Sequence, residues 1–241
     1  FVKYSFVSRM PSKINLILND FVALFFPNIC IGCKGPLPNG MQHICPACQY
    51  SLPKTNNYKE EVPHIYQKLA GSIRFNYMLA YLHFQKKGIV QHILHELKYN
   101  HKEDIGLMMG RWYGHDLLLG GFSNEFDLII PVPLHPSKQR KRGYNQSEAF
   151  AKGLSEVLKT EVYIGLKRVA ANETQTKKSR AERLDNVNAI FEAVDPIKLK
   201  EKRVLLVDDV ITTGATLLAC GNVLIEAGVK ELSFGVLAAT R

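Results

Sequence analysis

The sequence predicts an α/β fold, in which a parallel β-sheet flanked by helices is preceded by a small module built around four cysteines. Two observations support this prediction. The run Val-Leu-Leu-Val at 204–207 is apolar and rich in branched side chains, which suits a strand buried on both faces of a parallel sheet. Far upstream, two Cys-x-x-Cys pairs lie in a segment that has few apolar residues of its own.

Length and charge limit the classes of protein to consider. A chain of 241 residues has room for one large domain and one small one. The hydrophobic share of 46% and the charged share of 22% are those of an ordinary globular protein. The formal net charge is +9, from 31 Lys and Arg against 22 Asp and Glu. This surplus favours a polyanionic partner, either a nucleic acid or a polyphosphate.

The first predicted element is an amphipathic helix within residues 1–27. Its apolar residues share one helical face, and polar residues interrupt the stretch, which is also too short to span a membrane. No small-residue cleavage site follows it. We expect the helix to pack on the body of the protein, with docking to a membrane surface as the alternative, and we expect no transmembrane segment. The residues of the apolar face are Ile14, Ile17, Leu18, Phe21 and Phe25.

The cysteine module is predicted over residues 28–52. Cys30 and Cys33 form one pair and Cys45 and Cys48 the other, separated by eleven residues. Each pair places two thiolates on one tight turn, the spacing of a four-cysteine zinc knuckle or ribbon. We expect a structural Zn²⁺, because four thiolates leave no open position for catalysis; a redox dithiol is the alternative. Whether the module binds nucleic acid, docks a partner or only holds the chain stays open.

A linker is predicted over residues 53–72, and the main domain over 73–241. In the main domain, apolar runs and helical stripes predict strands at 75–84, 127–131, 162–169 and 232–239, and helices at 89–100, 105–120 and 146–159. The polar and basic stretch 172–187 is predicted to form a short helix or a hood over the site.

A basic loop is predicted after the strand that stops at Pro131, because two prolines two residues apart cannot continue a central strand. Four cations crowd into residues 138–142, and a bend and an aromatic ring follow them. A cation cluster just beyond a strand's carboxyl end suits an anion such as a diphosphate or a nucleic-acid backbone. The candidate residues are Arg140, Lys141, Arg142, Gly143 and Tyr144.

The central stretch of the chain joins a strand, an acid pair, a turn rich in hydroxyls and a helix. Asp208 and Asp209 can accept hydrogen bonds from a vicinal diol or bind Mg²⁺. The turn leads into a helix amino terminus, which favours a phosphate through its unpaired N–H groups. A diol close to a phosphate describes a ribose 5-phosphate. The turn comprises Thr212, Thr213, Gly214, Ala215 and Thr216.

Residues 204–216 resemble the phosphoribosyl-diphosphate (PRPP) motif of type I phosphoribosyltransferases. The resemblance implies that Asp208 and Asp209 hold the ribose hydroxyls and that Thr212 to Thr216 wrap the 5-phosphate, with Mg²⁺ bound together with PRPP. Where Thr212 stands, purine-salvage members carry an acid that assists the base. A threonine cannot take that role, so the residue argues against purine salvage.

Taken together, the motifs resemble the ComF (ComFC) family of competence proteins from about Cys30 onward. They are the cysteine module, Leu97-Lys98-Tyr99, the Pro-Val-Pro-Leu-His-Pro stretch at 131–136, the Lys-Arg-Gly-Tyr-Asn-Gln stretch at 141–146, Thr174-Gln175, Arg183 with Asn186, and the PRPP motif. Lys178 departs from the family pattern, in which an apolar residue is expected. The resemblance implies a cytoplasmic protein that binds PRPP and single-stranded DNA, with proteins of the DNA-uptake machinery as further partners.

Two hypotheses of different classes follow. In the first, the protein handles DNA during natural competence and uses the PRPP pocket as a ligand sensor or for nucleic-acid phosphates; Tyr144 among the cations would then contact bases. In the second, the protein is a Mg²⁺-dependent phosphoribosyltransferase of nucleotide metabolism, similar to amidophosphoribosyltransferases, whose acceptor the sequence does not reveal.

Overall fold

The computed structural model describes residues 28–59, 63–99, 102–169 and 190–240. The predicted helix within 1–27 and the polar stretch 172–187 lie outside these ranges. The described residues up to Ser51 form one compact unit, and those from Leu52 onward form a second. In the ranges that the structure describes, no helix is both long enough and apolar enough to cross a membrane.

The first unit is a tight turn followed by a short helix. Ile29 pairs with Pro36 in an isolated antiparallel bridge, and the Cys30 amide donates to the Gly35 carbonyl at 2.8 Å. Helix α1 (Pro46–Tyr50) begins directly after Cys45, with Pro46 in its first turn, where a missing N–H is tolerated. The two Cys-x-x-Cys pairs therefore lie on the turn and at the start of the helix.

The second unit contains a five-stranded parallel sheet with the order β1-β7-β6-β2-β3, which confirms the predicted fold class. Because all five strands are parallel, their carboxyl ends share one edge of the sheet, where ligands bind in open α/β folds. The strands are β1 (Met78–Phe84), β2 (Leu128–Pro131), β3 (Glu161–Val162), β6 (Arg203–Ile211) and β7 (Glu231–Thr240); β4 (Leu166–Arg168) and β5 (Phe191–Ala193) form a separate antiparallel pair.

Helices cover both faces of this sheet. They are α2 (Pro63–Tyr66), α3 (Ile89–Tyr99), α4 (Glu103–Leu119), α5 (Pro136–Arg142), α6 (Gln146–Leu158), α7 (Pro196–Leu199) and α8 (Ala215–Glu226). On β6, Val204 and Leu206 belong to the core that includes Leu217 and Leu224 of α8. Because side chains alternate along a strand, Leu205 and Val207 face the other side, on which α6 packs.

Helices α4 and α6 cross unusually closely because glycines meet at their contact. A β-carbon on Gly110 would lie 2.8 Å from the α-carbon of Gly153, and a β-carbon on Gly153 would overlap the carbonyl oxygen of Leu107. One turn away on either side, Gly106 packs against Ala149 and Gly114 against the next turn of α6. This spacing of small residues fixes α6, whose first turn reaches the acid pair.

The structure differs from the sequence expectations in the main sheet and in the predicted linker. The predicted strand at 162–169 is divided into β3 and β4, because the chain leaves the main sheet after Val162 and pairs with β5 instead. Within the range predicted as a linker, α2 is followed by a turn, and Ile65 and Leu69 join the core. Their spacing of four residues places both side chains on one side of this segment.

Candidate functional site

The acid pair lies in the second half of β6, which continues through both aspartates to Ile211. The Ser147 hydroxyl, in the first turn of α6, donates to Oδ1 of Asp208 at 2.8 Å. The backbone N–H of Asp209 donates to the same oxygen, also at 2.8 Å. On Asp209, the carboxylate oxygen Oδ2 lies 2.9 Å from Nζ of Lys98, at the end of α3. A residue of α6 therefore holds Asp208, and a residue of α3 holds Asp209.

Burial and the neighbouring acid shift the titration of Asp208. Desolvation is the larger cause and the negative charge of Asp209 the second, and together they raise the pKa of Asp208 to about 7. The hydrogen bond from Ser147 and the ammonium of Lys98 act in the opposite direction. Asp208 therefore changes its charge near neutral pH.

The predicted phosphate loop turns directly from β6 into α8. Gly214 has φ +83°, a left-handed conformation that favours glycine, and Ala215 is the first residue of α8. The Ala215 amide donates to the Thr213 hydroxyl at 3.4 Å. Thr212, Thr213 and Thr216 are exposed, so the structure gathers hydroxyls at a helix amino terminus, as the sequence predicted.

Lys68, which the sequence analysis did not identify as a site residue, hydrogen-bonds to this loop. Its Nζ donates to the Thr212 carbonyl at 2.8 Å and to the Thr240 hydroxyl at 3.3 Å. A β-carbon on Gly214 would lie 2.8 Å from Cδ2 of Leu69 and 3.1 Å from the Lys68 carbonyl oxygen. Lys68 lies 144 residues from Thr212 in the chain, and only the fold brings the two together.

The stretch predicted as a basic loop is helical in the structure, where it forms α5. The predicted secondary structure was therefore wrong here. The His135 side chain caps the helix by accepting from the Ser137 amide at 3.2 Å, and Pro136 suits the first turn. Gly143, with φ +78°, ends the helix in a left-handed conformation. The intervening residues contain no helix breaker, so the local signals for a helix were present in the sequence.

The cations of α5 line a cavity of about 200 Å³, which we call the cationic cavity. Lys138, Lys141 and Arg142 come from α5, and Lys98 and Tyr99 come from the end of α3. Arg140, also predicted as a site residue, is exposed on α5, but it is not among the residues that line the cavity. Lys98 therefore contacts the acid pair and also faces the cavity.

Of the two tyrosines here, Tyr144 is half-buried with its hydroxyl hydrogen-bonded, and Tyr99 is exposed. The Tyr144 hydroxyl donates to the Leu97 carbonyl, and burial raises its pKa to about 12. The Tyr99 ring is 57% exposed, and the Arg142 guanidinium lies 5.7 Å from its centroid. The aromatic face that a base could reach is therefore that of Tyr99.

The first turn of α6 is joined to the strand that precedes the cations. The Asn145 side chain caps α6 by accepting from the Ser147 amide at 3.1 Å, and it donates to the Val132 carbonyl at 2.9 Å. The Val132 amide in turn donates to the Val207 carbonyl at 2.9 Å. This chain of hydrogen bonds joins β6, the end of β2 and α6, and so fixes the Ser147 hydroxyl opposite Asp208.

The four predicted ligand cysteines lie together in the first unit. The sulfur atoms of Cys30, Cys33, Cys45 and Cys48 are all within 4.8 Å of one another, and Sγ of Cys33 is 3.8 Å from Sγ of Cys45. Tetrahedral thiolates at the usual Zn–S bond length lie about 3.8 Å apart, so the arrangement could hold a metal ion. In the part of the chain that the structure describes, it is the one cluster of this kind.

Backbone N–H groups stabilise the thiolate form of one of these cysteines, Cys30. Burial acts to raise the pKa of Cys30, but backbone N–H groups, including that of Cys45 at 3.3 Å, outweigh it and lower the pKa to about 6. At Cys48, burial and the neighbouring sulfurs raise the pKa to about 12. Thiolates so close together repel one another unless a cation lies between them, so the arrangement fits a group of metal ligands.

A family model and several known proteins are similar to this chain. The model of the phosphoribosyl transferase domain family matches residues 144–241. Competence protein F of Haemophilus influenzae is 29% identical over 226 residues, covering 89% of this chain and 98% of that protein. The DNA utilization protein YhgH of Escherichia coli K12 is 25% identical over 238 residues, covering 90% and 99%. Competence protein ComFC of Streptococcus pneumoniae is 33% identical over 108 residues, covering 45% and 46%.

Solved structures with a similar chain path were also found. The glutamine PRPP amidotransferase from B. subtilis is 23% identical with a TM-score of 0.43, covering 59% of this chain and 30% of that one. A purine phosphoribosyltransferase from Pyrococcus horikoshii is 21% identical with a TM-score of 0.32, covering 53% and 75%.

Proposed function

Because the chain belongs to the ComF/ComFC family of competence proteins and carries a phosphoribosyltransferase-like domain, we propose that it binds PRPP with Mg²⁺ and handles single-stranded DNA during natural competence. The observation that carries the PRPP proposal is the position of the acid pair. Asp208 and Asp209 stand at the carboxyl edge of a parallel sheet, a few residues before a left-handed glycine that opens a helix.

Each part of a ribose 5-phosphate has a matching group at this site. The carboxylates of the acid pair accept hydrogen bonds from the ribose hydroxyls. The first amides of α8 and the hydroxyls of Thr213 and Thr216 hold the 5-phosphate. Mg²⁺, when bound with PRPP, would neutralise charge between the diphosphate and the ribose oxygens. The cationic cavity lies next to the acids through Lys98 and suits the diphosphate.

The DNA proposal is supported by cations and an exposed ring on one surface. Lys138, Lys141 and Arg142 are within reach of a sugar–phosphate backbone, and Tyr99 offers a face on which a base can stack. The net charge of +9 favours the same partner. Since backbone contacts release counterions, DNA binding should weaken steeply with added salt, whereas PRPP binding through fixed N–H groups should weaken less.

For the cysteine cluster we propose a structural Zn²⁺. The sulfur separation fits a tetrahedral thiolate site, and four thiolates leave no position for a substrate. Thiolates that stay reduced and metal-bound suit the cytoplasm, which is where we place the protein.

The deciding experiment is calorimetric titration of the full chain with PRPP and Mg²⁺, with and without a short single-stranded DNA. We expect PRPP to bind, and we expect the double variant Asp208→Asn/Asp209→Asn to lose that binding. Glu226→Gln, an exposed acid at the end of α8, is the control and should bind as the unaltered protein does. PRPP affinity that is unchanged in the double variant would refute the site assignment.

The same titration series tests the DNA proposal. Displacement of PRPP by DNA would mean that the two ligands share the cationic cavity, and independent binding would mean separate surfaces. A protein that binds PRPP but shows no DNA binding even at low salt would contradict the DNA half of the proposal alone.

A further inference from the structure

A cavity of about 440 Å³ opens at the edge of the sheet opposite the acid pair, where the strands begin. We call it the amino-edge cavity. It lies between the end of α8, the start of β7 and the segment that leads into β1. Leu232, which lines the cavity, pairs with Val204 on β6, and Asp208 lies four residues further along that strand, about 13 Å away. The cavity is therefore separate from the site proposed for PRPP.

Two cations line this cavity without a partner of their own. In the ranges that the structure describes, neither the Arg74 guanidinium nor the Lys230 ammonium takes part in a hydrogen bond or an ion pair. The acid in the lining is Glu231, and its Oε2 already accepts from the side-chain amide of Asn76 at 2.8 Å. Two cations with no partner therefore face one acid that is hydrogen-bonded. A guanidinium and an ammonium in this position suit a carboxylate, which a guanidinium can bind through two parallel hydrogen bonds.

One wall of the cavity is apolar. Leu232 is buried, Val229 is half-buried, and Ile225, in the last turn of α8, is 43% exposed. A ligand that removes these side chains from water gains about 25 cal/mol for each Å² of apolar surface that it covers. The wall therefore favours a ligand that carries an apolar body as well as its charge.

Backbone hydrogen bonds fix the walls before any ligand arrives. The Asn76 amide donates to the Leu232 carbonyl at 2.8 Å, which holds the segment before β1 against β7. The last carbonyls of a helix disfavour an anion, but here the Ile225 carbonyl already accepts from the Gly228 amide at 2.9 Å. The cavity is thus formed in advance, as small-molecule sites usually are.

We propose that the amino-edge cavity binds a small organic carboxylate whose apolar body has the size of one or two rings. Arg74 and Lys230 bind the carboxylate, and Ile225 and Val229 contact the apolar body. The volume of the cavity is within the roughly 300–1,000 Å³ of sites that hold small ligands. This inference goes beyond the proposed function and does not depend on it, because no residue of the acid pair, the phosphate loop or the cationic cavity lines the amino-edge cavity.

The test is calorimetric titration of the full chain with 1-naphthoate and with 1-naphthamide, a neutral molecule of nearly the same shape. We expect the carboxylate to bind at least about fivefold more tightly than the amide, because it forms charged hydrogen bonds. The double variant Arg74→Met/Lys230→Met should bind the two molecules equally. The control, Lys86→Met, alters an exposed lysine outside the lining and should keep the preference.

A further variant, Ile225→Ala, tests the apolar wall separately from the charge. It should weaken the binding of both molecules by a similar factor, about two- to threefold, and so leave the preference for the carboxylate unchanged. Three results would each overturn the proposal: no binding of 1-naphthoate, a preference that persists in the Arg74→Met/Lys230→Met variant, or affinities that Ile225→Ala does not alter.

Titration of the same samples with PRPP distinguishes this inference from the proposed function. The Asp208→Asn/Asp209→Asn variant should bind 1-naphthoate as the unaltered protein does. A protein that binds PRPP but shows no preference for the carboxylate overturns the amino-edge site and leaves the proposed function intact. A protein whose preference depends on Arg74 and Lys230, yet which does not bind PRPP, supports the amino-edge site and contradicts the proposed function.

Discussion

Nζ of Lys98 lies 2.9 Å from Oδ2 of Asp209, so an acid proposed to bind the ribose is already paired with a lysine. The same lysine lines the cationic cavity. One side chain therefore touches both the acid pair and the cavity proposed for the diphosphate. A diol that binds Asp209 must compete with this ammonium, and an arriving diphosphate offers the ammonium a new partner.

The Lys98→Met variant should distinguish two ligands. Binding of PRPP should fall about tenfold, because the variant removes one charge-assisted hydrogen bond to the diphosphate. Ribose 5-phosphate has no diphosphate and gains a freed carboxylate, so its affinity should change less. Calorimetric titration of both ligands gives the ratio. Lys167→Met, at an exposed ion pair with Glu192, is the control; an equal loss for both ligands would contradict this role of Lys98.

PRPP affinity should depend on pH through Asp208, whose pKa is raised to about 7. We expect binding to need the ionised carboxylate, because it accepts the ribose hydroxyls. Lowering the pH from about 8 to about 6 then reduces the ionised fraction, and with it the affinity, about tenfold. A titration series in buffers of matched ionic strength measures the slope. In Asp208→Asn, any residual binding should lose this pH dependence; a slope that persists would assign it to another group.

Asp208 should also lower the stability of the folded protein at alkaline pH. Its pKa is higher in the folded than in the unfolded chain, so folding takes up a proton between about pH 4 and pH 7 and the free energy of unfolding falls as pH rises through that window. Asp208→Asn should therefore be more stable than the unaltered protein at pH 8, by about 1–2 kcal/mol. At pH 4 the difference should vanish. Urea unfolding at the two pH values tests this prediction. An equal effect of Asp208→Asn at both pH values would mean that the ionisation of Asp208 is not the cause.

The sequence predicted the local parts of the site and missed the long-range ones. The order of strand, acid pair, glycine turn and helix is written in adjacent residues, and the structure reproduces it at Asp208 to Ala215. Lys68 and Ser147 reach the same site from distant segments, and neither lies in a sequence motif that predicts which residue it contacts. The helix at 136–142 was predicted as a loop because its cations are crowded, although its caps, His135 and Gly143, and Pro136 in its first turn are signals for a helix.

Lys68 should act as a positioning residue for the phosphate loop. Its ammonium holds the Thr212 carbonyl and the Thr240 hydroxyl, so Lys68→Met leaves the loop less ordered before a phosphate arrives. We expect PRPP affinity to fall about tenfold, the cost of a lost charged hydrogen bond. Lys68→Arg should recover part of it, since a guanidinium can donate to the same oxygens. The control, Lys86→Met, alters an exposed lysine; no loss in Lys68→Met would show that the loop orders itself.

Loss of the metal from the cysteine cluster should leave PRPP binding nearly unchanged. All four cysteines lie in the unit that ends at Ser51, and the acid pair, phosphate loop and Lys68 lie in the unit that begins at Leu52. Elemental analysis of the purified protein should find about one zinc per chain, and Cys45→Ser should lower it several-fold. PRPP affinity should stay within about twofold of the unaltered value. Cys220→Ser, at the remaining cysteine, should keep the zinc; if it does not, the ligand set is different.

Gly153→Ala should disturb the site from a distance. A β-carbon at this position would overlap the Leu107 carbonyl and lie 2.9 Å from the α-carbon of Gly110, so α4 and α6 must separate, at a cost of about 1–3 kcal/mol. The shift moves the first turn of α6, including the Ser147 hydroxyl bonded to Asp208. Thermal unfolding and PRPP titration should therefore both show a loss. In Ser147→Ala the helix packing is kept, so PRPP affinity should fall with a smaller loss of stability than in Gly153→Ala. A Gly153→Ala protein that is less stable but binds PRPP normally would show that the acid pair does not depend on this crossing.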